Sequence, residues 1–376
     1  FAIFTEAFLV NFIIDWKLLY LIIVSNYILL VRIKKIKLNI YFLIVVALLF
    51  IQGLIAYSVI SIPINFLLSQ IIGITILSTY YYNLIPLYSR EEIIEVYLKM
   101  SLWVAILAYP MFFLDINLDS PDRLQGIFTE PAHYAIVVIP ACYYNLKSKK
   151  YIPFAIIFIT LLLSSSSIGY LGIGLMLVLP NITLKRIKYL FIVLPFTIIA
   201  FLYVYNNFEF FRLRVDDTYR SLNAVNTGKF EEYTNLSSYA LLSNAFVVKK
   251  NLTDHPFGSG LGSHYYMHKE NYIKYIRIPE YIRTTKNTEI NSKDACSLFL
   301  RICSDTGILG FIFILFILYH ISKSFRYRDS FFAQSIVIYL ILKLFRDGHY
   351  FPPEMYFFVW LLYFDLREQN NLKQVP

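Results

Sequence analysis

Runs of about 20 apolar residues recur along almost the whole chain, and this repetition restricts the fold more than any motif does. A helix rises about 1.5 Å per residue, so about 20 residues cover the ~30 Å of bilayer hydrocarbon. Inside lipid the backbone must satisfy its own hydrogen bonds, which makes helices the natural spanning elements for such runs. They lie at 1–14, 18–31, 38–60, 64–86, 97–114, 133–146, 152–163, 168–179, 187–205, 307–319, 331–345 and 355–364. The pattern predicts an all-α, polytopic transmembrane bundle of 12 spans, or 11 if 1–14 is not one. Composition agrees: only 16% of residues are charged, where a soluble domain carries roughly a quarter.

A single long polar segment interrupts the pattern. It divides the chain into N-terminal spans (1–205), a loop region with short helices (206–305) and C-terminal spans (306–376). Elsewhere, basic residues gather in short connections at 32–37, 90–99, 147–150, 185–188, 323–328 and 367–373. All of these fall on one side when the spans alternate, and the Lys/Arg bias of short loops makes that side cytoplasmic. The C-terminus is then cytoplasmic, and 206–305 faces outward with 115–131 and 346–354. A net charge of +9 distributed in this way marks topology and not a nucleic-acid surface. Cys142, Cys296 and Cys303 lack metal-binding spacing and read as unpaired packing residues. Cys296 and Cys303 would stand ~10 Å apart on a regular helix, too far for a disulfide.

The outward side collects the ionisable residues that lie near membrane depth, where such groups are costly and usually face a cavity. Glu130 precedes Pro131 at the start of a span. It is either a helix N-terminal carboxylate favoured by the dipole or a general base. Gly258, Gly260 and Gly262 form a cluster whose backbone amides could approach a phosphate or sugar. No strand–helix unit surrounds it, so a dinucleotide site is rejected. Asp294, Ser297, Arg301 and Asp305 follow a 3-4-4 spacing that places them on one helical face. Arg346 and His349 end the penultimate span, and Pro352-Pro353 forces a sharp re-entry. Arg123, Arg212, Arg214, Arg220 and His264 complete the outward set. No span carries a conventional metal-ligand cluster.

These stretches together resemble the bacterial Wzy-type O-antigen or capsule repeat-unit polymerases, a group related in fold to the O-antigen ligases. The matching segments are Arg123 to Pro131, Ser237 to Asn244, Phe257 to Gly262 with His264, Asp294 to Gly310, and Arg346 to Tyr350. Ligase-like relatives carry Ser-Arg-Gly where this chain has Ser167-Ile168-Gly169, and His-Asn near Asp294-Ala295, which favours the polymerase branch. The resemblance implies glycosyl transfer at the outer face of the bacterial inner membrane. A hydroxyl of an undecaprenyl-pyrophosphate-linked repeat unit attacks the anomeric carbon of the growing chain and releases undecaprenyl pyrophosphate. In that scheme Glu130 is the base, with His349 as competitor. Arg301 and Arg346 stabilise the departing pyrophosphate, helped by Arg212, Arg214 and Arg220. Arg123, His264, Asp294 and Asp305 fall in the same substrate-binding set. Arginines in that role require no divalent metal and no cofactor. Partners are the lipid-linked oligosaccharide, membrane lipids and a chain-length co-polymerase, with no nucleic acid. The competing readings are an O-antigen ligase and a lipid-linked oligosaccharide flippase.

Overall fold

The computed structural model describes residues 2–5, 8–12, 14–116, 122–181, 195, 198–199, 201–203, 205–207, 209–322 and 330–372. Most of the expected span 187–205 lies outside these residues, as do the basic stretches 185–188 and 323–328 and Lys373.

The described chain is helical apart from a short N-terminal hairpin. There β1 (Leu9–Phe12) pairs antiparallel with β2 (Ile14–Lys17), Leu9 opposite Lys17 and Phe12 opposite Ile14. This corrects the reading of 1–14 as a span. Glu6 and Asn11 interrupt the apolar pattern of the run, and its second half is paired as strands.

The helices before the long polar segment are α1 (Leu18–Ile33), α2 (Ile40–Ile60), α3 (Asn65–Leu84), α4 (Arg90–Phe113), α5 (Pro131–Lys147), α6 (Tyr151–Leu163) and α7 (Ser167–Val178). The polar segment itself folds into α8 (Glu209–Ser221), α9 (Leu236–Asp254) and shorter turns. After it come α10 (Leu298–Ser322), α11 (Phe331–Phe345) and α12 (Pro353–Leu372). Among the described residues Ile40–Ile60, Arg90–Phe113 and Leu298–Ile321 are long and apolar enough to cross a membrane, and they mark a membrane protein. In α2 the side chains of Ile40, Ile44, Leu48, Ile51, Ile55 and Val59 share an exposed stripe, while Gly53 and Tyr57 are buried. A helix so apolar on its open side needs lipid to cover it.

Two boundaries differ from the expected ones for visible reasons. Helix α4 starts at Arg90, well before 97. The Ser89 side chain accepts from the Glu92 amide and the Glu92 carboxylate accepts from the Ser89 amide, a closed capping box. The Glu-rich stretch 91–95 and the apolar run that follows are therefore one helix. Helix α10 begins at Leu298, so Asp294 is not on it: Ala295 and Cys296 take left-handed backbone angles that end any regular helix there. Gly307 (φ 65°, ψ −145°) then breaks α10 into a short polar segment and an apolar one.

The core lies where α5 packs against α11, flanked by α4, α6 and α7. Tyr143 donates to Gln334 Oε1 at 2.6 Å, and Tyr97 donates to the Val137 carbonyl at 2.7 Å. The pair runs antiparallel: the N-terminus of α5 meets the C-terminus of α11 at one end, and Tyr144 meets Phe332 at the other. At about 1.5 Å per residue, the 17 residues of α5 separate those ends by ~25 Å.

Candidate functional site

The glycine cluster is a docking element. Gly258, Gly260 and Gly262 all have positive φ, and the segment lies on the Gly307 kink of α10. A Cβ on Gly258 would stand 2.3 Å from the Asp305 carbonyl oxygen, and one on Gly307 would stand 2.1 Å from that of Pro256. Only glycine fits either position. The amides of Ser259, Gly260 and Gly262 donate to the Ser304 carbonyl, the Asp305 carbonyl and Asp305 Oδ2, at 3.2, 2.8 and 2.7 Å. His264 N and Ser263 Oγ donate to Asp305 Oδ1, and Tyr350 Oη donates to Oδ2. The expectation that these amides meet a phosphate or sugar is thus corrected, because buried donors are committed to their acceptors and Ser304 and Asp305 already take them. His264 is likewise spent, bonded through Nδ1 to Ser304 Oγ and through Nε2 to Asn244 Oδ1, each at 2.9 Å. Burial, with His268 and Arg301 adding to it, holds the His264 ring well below the ordinary histidine range.

A cavity of about 280 Å³ opens where α5 begins and α11 ends. Its polar wall carries Glu130, His133, Asp294, Arg346, Asp347 and His349, with Tyr265 and Glu289 from the long segment opposite. Glu130 is the N-cap residue of α5, yet its side chain makes no cap hydrogen bond. Among the described residues its carboxylate has no partner. Arg346 donates to the Cys296 sulfur at 3.0 Å and makes no ion pair among the described residues. Burial pushes the Cys296 thiol up, against the pull of Arg346.

Beneath the cavity floor the charges are paired. Lys343, wholly buried, is bonded to Asp347 and lies 3.5 Å from Glu354. Burial works to raise the Asp347 carboxyl, but the Lys343 ammonium, with His349 and His133, outweighs it and holds the group well below the carboxylate range. Burial lowers the basicity of His349, and Asp347 and Asp294 pull it back. Half of that ring still meets solvent, which limits the lowering. Arg301 is 3% exposed; it donates to the Gly348 carbonyl at 2.9 Å, stacks 4.4 Å from the Tyr350 ring and stands 4.0 Å from Asp305.

Of the residues expected in the site, the structure brings Glu130, Asp294, Arg346 and His349 to one cavity. Arg301 and Asp305 lie directly behind it, bracing the 346–350 turn from α10. His264 belongs to the buried network. Arg123 is turned to the Ser164 and Ser165 carbonyls at the α6–α7 turn. Arg212 and Arg220 are exposed on α8, and the Arg214 side chain lies outside the described set. Sequence reasoning passed over Asp347 and Lys343. Their signal was a lysine inside an apolar run with an acid four residues on.

Asp294, Asp347 and His349 offer ligand atoms within 4.8 Å of one another, a set able to hold a cation that no sequence spacing revealed. Lys343 already sits on one Asp347 oxygen and Arg346 lines the same wall, so the cavity carries fixed positive charge of its own. The arrangement presents a carboxylate and a guanidinium, each without an ion pair among the described residues, to one small volume, which suits a proton acceptor beside an anion. No protein-family model and no curated protein matches this chain.

Proposed function

We propose that this protein is a membrane glycosyltransferase that polymerises undecaprenyl-pyrophosphate-linked repeat units of an O-antigen or related surface polysaccharide. The observation that carries the reading is the Glu130–Arg346 cavity: a carboxylate without a hydrogen-bond partner and an arginine without a counter-ion among the described residues, from distant segments, at one end of the α5–α11 pair. The basic residues Arg90, Lys99, Lys147, Lys149 and Lys150 lie toward the opposite end. This supports a cavity facing the periplasm across the bacterial inner membrane, with the rest of the 11 spans around it.

In this scheme Glu130 takes the proton of the acceptor hydroxyl as that oxygen bonds to the anomeric carbon. The bond from the same carbon to the pyrophosphate oxygen breaks, and undecaprenyl pyrophosphate leaves with the electron pair. Arg346 meets the charge that develops on the leaving group. Arg301 acts from behind, fixing the 346–350 turn through Gly348 and Tyr350.

The test is Glu130→Gln in purified protein given synthetic undecaprenyl-pyrophosphate repeat unit, with and without chelator. Loss of a general base costs roughly 10²–10⁴ in rate, so polymer formation should fall at least a hundredfold while the protein stays folded. Normal polymer from the variant would remove Glu130 as the base. Deletion in cells separates the reaction classes. A single repeat unit left on the lipid core indicates a polymerase, no repeat unit a ligase, and precursor trapped inside a flippase.

A further inference from the structure

A larger cavity, about 550 Å³, lies at the other end of the α5–α11 pair and takes no part in the proposed chemistry. It is enclosed by the first turns of α4, the end of α5, and the starts of α6 and α11. One side is charged, with Arg90, Lys99 and Lys150 against Glu91 and Glu95; the other is apolar, with Leu98, Leu102 and Phe331 among its residues.

Its hydrogen-bond accounting is lopsided. Asn145 is 2% exposed and its Nδ2 has no partner among the described residues; the Arg90 Nε atom is buried and likewise has none there. Both are nitrogen donors, and buried donors without acceptors are rare and costly. The Arg90 Nη2 atom pairs with Asp365 at 2.6 Å and Lys99 pairs with Glu95 at 2.6 Å. Lys150 and Glu91 make no ion pair among the described residues, so Lys150 adds a third donor to the wall. The missing partner is therefore a group with more than one acceptor oxygen. Beside the lining residues Leu102 and Pro153, Trp103 and Ile152 are exposed at 61% and 77%. An occupant with a hydrocarbon tail would cover them.

We propose that this cavity binds the phosphodiester headgroup of an anionic glycerophospholipid, its oxygens accepting from Asn145, Arg90 and Lys150 while its acyl chains lie along α4 and α6. The assignment rests on the membrane character of the helices and not on the glycosyl-transfer reading. A basic pocket between membrane helices at the basic end of the bundle has the chemistry for such a lipid. A bound lipid there would tie α4, α5, α6 and α11 together at the end where the cavity lies between them.

The test uses full-length protein in neutral detergent, stripped of lipid and then given phosphatidylglycerol or phosphatidylcholine, with bound lipid counted by native mass spectrometry and stability followed by thermal unfolding. Wild type should hold one phosphatidylglycerol and unfold at higher temperature with it, and phosphatidylcholine should do neither. Lys150→Glu should weaken phosphatidylglycerol binding at least tenfold, whereas Lys149→Glu, whose side chain is not on the lining, should leave it within twofold. Equal binding of the two lipids, or equal loss in the two variants, would overturn the proposal. Displacement of the lipid by millimolar inorganic phosphate would make this a free-anion site and overturn the lipid assignment.

Discussion

Replacing Asp305 with asparagine tests the junction between the long polar segment and the bundle. The carboxylate accepts four hydrogen bonds: Gly262 N and Tyr350 Oη at Oδ2 (2.7 and 2.9 Å), and Ser263 Oγ and His264 N at Oδ1 (both 3.2 Å). Asparagine has one acceptor atom, and its amide nitrogen must face one of the two pairs. The hydroxyl in that pair can turn and accept, but the backbone N–H cannot. Whichever way the amide points, a buried N–H of Gly262 or His264 is orphaned, at a cost of about 1–3 kcal/mol. The surviving bonds also lose their charge assistance, and Arg301 loses its counter-charge 4.0 Å away, so the total is about 3–5 kcal/mol. At roughly 2 °C per kcal/mol for a large domain, the unfolding midpoint should fall by about 6–10 °C. Cys142, Cys296 and Cys303 are all free and buried, so a thiol-reactive fluorophore reports unfolding directly. Ser263→Ala, which removes only one 3.2 Å bond, should cost about 1 kcal/mol. A shift below about 2 °C for Asp305→Asn would mean that the glycine segment is held by something else.

Arg346→Lys keeps the charge but loses the planar fork that grips phosphate oxygens at two points. It should raise KM for the pyrophosphate-linked donor about tenfold or more with little change in folding, and unchanged kinetics would remove Arg346 from the pyrophosphate site. Acidification should destabilise the fold through His268, which is buried with neither ring nitrogen partnered among the described residues and is lowered to about 4 by burial, against the pull of Glu289. The unfolded ring takes its proton near pH 6.5 and the folded one near 4, so stability is full above 6.5 and falls as pH drops through that window. The loss reaches about 3 kcal/mol at 1.36 kcal/mol per unit. Thermal unfolding of His268→Leu should show a correspondingly shallower slope between pH 6.5 and 4, and an identical slope would refute the account.

The parts of this structure that were legible in the sequence are those written in local terms. Helix α2 follows from an uninterrupted apolar run, and the entry of α5 follows from Glu130-Pro131. The four-residue step from Arg301 to Asp305 correctly placed both on one face of α10. What could not be read locally is what those faces meet. The glycine cluster looked like a phosphate cradle because glycine spacing reports backbone freedom and says nothing about which acceptors the freed amides reach. Those acceptors, Ser304 and Asp305, are some forty residues downstream. The left-handed angles at Ala295 and Cys296 carry no residue signature, since neither is glycine, so the expected helix was extended four residues too far. Lys343 was absorbed into an apolar run because one lysine barely changes the average, although its burial makes it among the more consequential charges in the molecule.

The polar face of α10 explains why the cavity and the long segment belong to one design. Asp305 holds the glycine segment from one side and takes the Tyr350 hydroxyl on the other. One turn earlier Arg301 holds the Gly348 carbonyl, and Ser297 donates to the Leu344 carbonyl. Ser297, just before α10, and the next two turns thus clamp the end of α11 and the turn that carries Arg346, Asp347 and His349. The Gly307 break is what permits this, because it frees the segment before it from the direction of the apolar segment that follows. A straight α10 would have to follow one axis through both. Changes at Ser297, Arg301 or Asp305 should therefore act on the cavity through the position of Arg346 and His349, without any contact of their own to a ligand.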